Sequence, residues 1–211
     1  MKDLVKMKLI DLLEDEMSDL EKVREDPYSI DFIENPSLEV QLAAVKKDPS
    51  AIQCIENPPL EVQLTEVSHY GRVIKFIENP PLEVQLAAVR ENGLAIRSIK
   101  NPSLEVQLAA VRESGYAIKH IKNPSLEVQL EAVRQNGDAI GNIKNPPLEL
   151  QLAAVRQNGI AIMCIKNPPE QVQIVAIMQN PDAIKYIKEP TRNAINVHLV
   201  YDDKRKFQKS E

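Results

Sequence analysis

Three histidines, two cysteines and one acid–imidazole pair are the side chains of this 211-residue sequence best suited to chemistry. Glu66 and His69 lie three residues apart, one turn of any helix that carries both, so the two groups come within reach of each other. Glu66 also stands where sibling segments carry alanine, on a face expected to be packed. A carboxylate beside an imidazole in such a place has a shifted proton affinity, which is how general acids and bases are made. The competing reading is drift near one end of an array, with no chemical purpose. The remaining groups are scattered. His69, His120 and His198 occupy unrelated places, and neither Cys54 nor Cys164 keeps a diagnostic distance from a histidine. No metal-ligand spacing, phosphate loop or nucleophile motif occurs. The sequence therefore predicts a protein that is not an enzyme, with no metal and no cofactor.

What positions these residues is a repeat. Seven consecutive 22-residue units run from Asn35 to Lys188 without insertion or deletion, and the unit Asn79–Lys100 reads NPPLEVQLAAVRENGLAIRSIK. A fixed period of this length marks a solenoid, in which a unit buries its apolar face only against its neighbours. The predicted fold class is all-α, an α-solenoid of two-helix repeats closed by helical caps. Repeats 1 to 7 begin at Asn35, Asn57, Asn79, Asn101, Asn123, Asn145 and Asn167, and positions 1–22 are counted from these residues.

Prolines divide the unit. Twelve of the fifteen fall at positions 2 and 3, after Asn or once after Glu189. Asn as N-cap with Pro at N1 predicts that helix A starts at about position 2 and ends near position 12. Position 15 is Gly in five units but Pro at Pro49 and Pro181, and Pro27 repeats the pattern in a half unit. Proline holds φ near −65°, so this is no left-handed cap. Asp26, Asp48 and Asn180 then read as N-caps of a second, two-turn helix B. Helical projection puts positions 4, 8 and 11 on one apolar stripe, as in Leu82, Leu86 and Val89. Positions 6 and 10, as in Val84 and Ala88, form another, with positions 5, 9 and 12 solvated. Position 7, between the stripes, is Gln in all seven units, from Gln41 to Gln173. An amide there needs partners, and a ladder of bonds to adjoining backbone is expected. A ligand-binding row is the other reading. Helix B buries positions 17, 18 and 21, with Ile at 18 and 21 throughout.

The units differ most at positions 16, 19 and 20, the outward face of helix B. Five of eight aromatics lie there (Tyr28, Phe32, Phe76, Tyr116, Tyr186) together with Arg72, Lys75, Arg97, Lys119 and His120. His69 and Tyr70 join them from repeat 2, whose LTEVSHYGRVIKF departs furthest from its siblings. Solenoids keep their core and vary the surface that meets partners, and exposed aromatics with Arg are common interface anchors. The leading expectation is a binding scaffold for a partner protein. A nucleotide or nucleic-acid binder is the alternative, using Arg72, Lys75, Arg97, Lys119 and the position-22 lysines, since bases stack on aromatics between cations. A self-associating structural rod is a third. The bland account is that this face tolerates variety.

Charge runs along the array. Residues 1–78 hold 17 acids and 9 bases, and residues 79–211 hold 14 and 17. Position 22 records the change: Glu34, Glu56 and Glu78 give way to Lys100, Lys122, Lys144, Lys166 and Lys188. Such a gradient orients a partner or a second copy, or reflects only a drifting solvated face. Residues 1–25 are expected to form one amphipathic capping helix on Leu4, Met7, Ile10, Leu13, Met17 and Leu20. Residues 26–34 read as a half repeat, and 189–211 as a degenerate capping helix with a frayed charged tail. The N-terminus carries acids and lysines through its apolar stretch, unlike a signal peptide, and no run spans a bilayer. Five repeats, ~40–50 Å at helix-layer spacing, separate the two cysteines. Unpaired thiols without a leader predict a cytoplasmic protein with no membrane partner.

At NPPLEVQLAAVRENG the unit resembles the short two-helix "EVxLAAVxxNG" repeats of an uncharacterised domain family of bacteria, their phages and some protists. The resemblance covers residues 26–188. It is also loosely similar to leucine-rich repeat variants, although those lack the regular Gln. The resemblance implies the fold and no activity. Near-identical copies imply recent duplication, a habit of phage and host-interaction proteins.

Overall fold

The computed structural model describes residues 18–208, with side chains described to Asp202. Among the described residues there is no strand. The chain alternates α-helices with two-turn 3-10 helices. Helix α1 (Asp19–Glu25) and the 3-10 helix Pro27–Phe32 come first. The repeats supply α2 (Leu38–Lys47), α3 (Leu60–His69), α4 (Leu82–Glu91), α5 (Leu104–Glu113), α6 (Leu126–Gln135), α7 (Leu148–Gln157) and α8 (Glu170–Gln179). Helix α9 (Arg192–Gln208) follows. Each repeat helix packs on the next and on the 3-10 helix of its own unit, and all but α3 pack also on the 3-10 helix of the unit before. The fold is an all-α solenoid.

Helix A starts two residues later than expected. The Asn of position 1 is no cap: in all seven repeats it sits in the left-handed region, at φ 46–52°, which Asn tolerates better than other non-glycine residues. This residue reverses the chain after helix B. The N-cap is position 3, where the Ser37, Ser103 and Ser125 hydroxyls accept from the N–H groups of Val40, Val106 and Val128. Proline holds that place in the other four units and gives no side-chain cap. The N-terminal cap departs as well. Ser18 and Glu21 form a reciprocal capping box that starts a helix at Asp19, so no single helix covers residues 1–25. Leu20 packs against the core; Leu4, Met7, Ile10, Leu13 and Met17 lie outside the described residues. At the other end the helix continues into the charged tail as far as Gln208 instead of fraying.

Helix B holds as expected at its start and is of a different kind in its body. The side chains of Asp26, Asp48 and Asn180 accept from the N–H two residues on, as do Asn92, Asn136 and Asn158. The six residues then follow i→i+3 bonding, for example Ala51 N–H to Asp48 C=O and Ile55 N–H to Ile52 C=O. Three residues per turn aim positions 17, 18 and 21 inward, and Ala117, Ile118 and Ile121 are buried accordingly. In helix A, positions 6, 10 and 11 are buried in every repeat. They are Val, Ala and Val apart from Glu66, Leu150 and Ile177. The expected burial of position 4 fails. Leu38, Leu60, Leu82, Leu104, Leu126 and Leu148 are 42–48% exposed, because the inter-repeat contact centres on positions 6 and 10, away from position 4.

Three contacts brace each unit and join it to the next. First, every position-7 amide donates to the carbonyl of the position-2 proline of its own unit, at 2.7–2.9 Å. This is the expected ladder in an intra-unit form. Its oxygen faces the next unit: Gln173 Oε1 accepts from Thr191 N–H at 2.9 Å. The Oε1 atoms of Gln41, Gln63 and Gln151 are buried without a partner, and the residue aligned with Thr191 in the unit after each is a proline, which has no N–H to give. Second, the position-15 glycine lies under the carbonyl of the next unit's position-10 alanine. A Cβ on Gly71, Gly93, Gly115, Gly137 or Gly159 would sit 2.3–2.6 Å from that oxygen. Third, the N–H groups of Gly71, Gly115, Gly137 and Gly159 donate to the side chains of Glu91, Gln135, Gln157 and Gln179 in the following unit, at 2.6–2.7 Å.

That last contact has a counterpart in sequence. Where position 15 is Pro and offers no N–H, the residue twenty places on is no carboxylate or amide: Lys47 after Pro27, His69 after Pro49, Tyr201 after Pro181. Lys47 turns to the end of α1, donating to the Arg24 and Glu25 carbonyls, which are orphan acceptors of a helix C-terminus. Gln135→Leu leaves the Gly115 N–H buried and unpaired, and is expected to cost about 1–2 kcal/mol. A urea melt against the parent checks it.

Candidate functional site

The exposed side of helix B is built by the 3-10 geometry. With positions 17, 18 and 21 turned inward, position 19 is exposed in all eight copies, from Asp31 to Lys185. Position 20 is exposed at Phe32, His120, Asn142, Cys164 and Tyr186, and half-buried at Cys54, Phe76 and Ser98. Position 16 of one repeat can reach position 14 of the next. The Tyr28 hydroxyl donates to Asp48 Oδ2 at 3.0 Å, and Asn158 Nδ2 donates to Asp138 Oδ1 at 3.0 Å. These bonds tie the edge of the strip to the caps of helix B, so its side chains stand on a braced support.

Cations occupy position 19 in three consecutive repeats, at Lys75, Arg97 and Lys119. Lys75 Nζ lies 4.4 Å from the Phe76 ring centroid, a cation–π contact that fixes both side chains. Burial, then the Lys119 and Arg97 charges, pull the His120 imidazole below its ordinary value. His120 is therefore neutral at neutral pH, a hydrogen-bonding group inside a basic patch. Burial and nearby acids push both thiols up: Asp31 and Asp26 at Cys54, Asp138 at Cys164. Both stay protonated, which makes them weak nucleophiles. Among the described residues no cluster of three His, Cys, Asp or Glu side chains is placed to hold a metal ion, and no helix is long and apolar enough to cross a membrane.

The sequence-predicted residues divide in two. Tyr28, Phe32, Arg72, Lys75, Phe76, Arg97, Tyr116, Lys119, His120 and Tyr186 share the strip. Phe32 is its most exposed aromatic, at 88%, whereas Phe76 packs partly on the core. His69 and Tyr70 stand apart at the C-terminal end of α3. His69 Nδ1 lies 2.8 Å from the Thr65 carbonyl, and no bond joins it to the buried Glu66. Tyr70 takes the cap position of helix B, leaves it without a side-chain cap and is exposed. Met163, also exposed on the strip, is not among the expected binding residues; its signal is being the one large apolar residue at position 19. Comparison of the chain with family models, curated proteins and solved structures finds no match.

Proposed function

We propose that the chain is a binding scaffold whose helix-B strip recognises a partner protein. One observation carries this: the three positions that change from repeat to repeat lie on one side of an otherwise fixed lattice, and the side chains there are exposed or half-exposed. Aromatic anchors at Phe32 and Tyr186 flank the basic centre at Lys75, Arg97 and Lys119, which holds Tyr116 beside Lys119. A partner with apolar knobs and acidic groups at repeat spacing matches this order of charges.

The test is affinity capture from the native host, comparing the parent with a Phe32→Ala, Tyr116→Ala, Tyr186→Ala variant that melts at the same temperature. The parent is expected to retain a protein that the variant loses, with binding that survives several times physiological salt. Retention of every partner by the variant removes the strip from consideration. Steep loss with salt, and competition by nucleic acid, would instead favour a polyanion as ligand.

A further inference from the structure

Positions constant across the repeats have an evident task inside the chain: positions 6, 10, 11, 17, 18 and 21 build the core, position 7 is hydrogen-bonded and position 1 turns the chain. The position-4 leucine has none. It recurs in six consecutive repeats, Leu38 to Leu148, while nearly half exposed. Beside it, position 5 is Glu in the same six repeats, and position 12 is Lys or Arg in five of them. Acids in the first turn and bases in the last suit the helix dipole, but the dipole says nothing about the leucines. Repeat 7 changes all three at once, to Glu170, Gln171 and Met178, while its buried Val172, Ala176 and Ile177 keep the lattice. Three surface positions thus lose their character together, while the core changes only between apolar residues, to Ile174 and Ile177.

Positions 5 and 12 are seven residues apart, ~10.5 Å along the axis, too far to pair within one helix. Among the described residues none of the position-5 glutamates makes an ion pair within 4 Å, nor do Arg90 and Arg156; Arg112 and Arg134 turn to Glu131. A two-fold rotation that reverses the helix brings position 12 of one copy opposite positions 4 and 5 of the other. The arginine stem then covers the leucine while its guanidinium meets the glutamate. Between them lie position 8, half-buried at Leu42, Leu64, Leu108 and Leu130 and buried at Leu86 and Leu152, and half-buried position 9, as at Ala87 and Ala109. The face is complementary to itself, as an isologous contact requires.

We infer that the outer face of α2–α7 is seated against a second copy of this chain, each helix antiparallel to its own counterpart about a two-fold axis along the array. The variable strip belongs to the 3-10 helices, outside this contact, so the pair presents two strips, and a partner with two sites gains avidity.

Sedimentation velocity of the full chain from micromolar to hundreds of micromolar tests the pairing. The parent is expected to dimerise. Leu82→Glu with Leu104→Glu, which copy the natural Glu170 on exposed sites, is expected to weaken the dimer at least tenfold at an unchanged melting temperature. Two charge variants test the register. Glu83→Arg with Glu149→Arg, and Arg90→Glu with Arg156→Glu, should each be monomeric alone and restore a one-to-one dimer when mixed. A parent that stays monomeric, leucine variants that dimerise like it, or a mixture that stays monomeric would overturn the inference.

Discussion

Gly137→Ala is expected to destabilise the protein by about 2–3 kcal/mol, the range for overpacking a tight contact. The new Cβ would lie 2.6 Å from the Ala154 carbonyl oxygen and 2.8 Å from Gln157 Oε1. Neither yields easily. The carbonyl already accepts from Asn158 N–H at 2.9 Å, and Gln157 Oε1 from Gly137 N–H at 2.7 Å. No glycine among the described residues has positive φ, so the cost comes from contact and not from backbone preference. Gly141→Ala, four residues further on, is the control. Its Cβ would meet only the exposed Cys164, at 3.3 and 3.4 Å, so relief of unfolded-chain entropy makes it neutral or stabilising by about 0.5 kcal/mol. Urea melts of both variants check the order, and equal destabilisation would refute the packing argument. The Gly137 lesion sits between repeats 5 and 6. An array of nearest-neighbour contacts should then melt as two blocks, with lowered m-value and hydrogen exchange accelerated first beside that boundary.

Glu66→Met is expected to stabilise the fold at pH 7 by about 1–3 kcal/mol, the cost of a buried polar group left unsatisfied. Glu66 is 2% exposed and its Oε2 has no partner. The six other repeats carry Ala at this position, and the α2–α3 contact is the thinnest between neighbouring repeat helices. Glu66 lies in that layer, where its siblings place only a methyl group. Methionine keeps the volume and drops the polar atoms, so no cavity replaces the acid. Burial raises the Glu66 carboxyl above its ordinary 4.5, against smaller opposing pulls from His69 and Lys46. A raised carboxyl favours the neutral form in the fold. Its stability is fully present below the unfolded value and is lost as pH rises through the folded one. The gain from Glu66→Met should therefore shrink as pH falls from 7 toward 4.5. A gain independent of pH, or no gain, would show that the carboxylate is solvated.

Much of this was legible in sequence for a physical reason: each repeat places the same residue in the same environment, so seven copies vote on every position. The period, the caps of helix B, its inward Ile pair and the bonded Gln followed from that vote. The outward strip is the place where the vote fails. Asn-Pro misled because Asn serves both as a cap and as a left-handed turn, and one dipeptide satisfies both. The position-4 leucines misled because a constant leucine reads as core when the axis of inter-repeat contact is unknown. The 3-10 winding of helix B leaves no distinct mark in six residues. The link between position 15 and the residue twenty places on was visible, yet it crosses a repeat boundary, and aligning units hides what spans two of them.

That link also governs how such a gene can change length. Four of the five interior glycines donate to an acid or amide in the unit after them, and Gly71 to Gly159 are followed by Glu91 to Gln179 in unbroken order. Loss of repeat 4 would set Gly93 against Gln135 and preserve every mate. Loss of repeat 2 would set Pro49 against Glu91, stranding an acceptor on a residue with no hydrogen to give. Any one of repeats 3 to 6 can thus be lost with every mate preserved, whereas loss of repeat 2 or of repeat 7, which would set Gly159 against Tyr201, breaks one. Descendants of this array should vary in copy number within repeats 3 to 6 while keeping repeats 2 and 7.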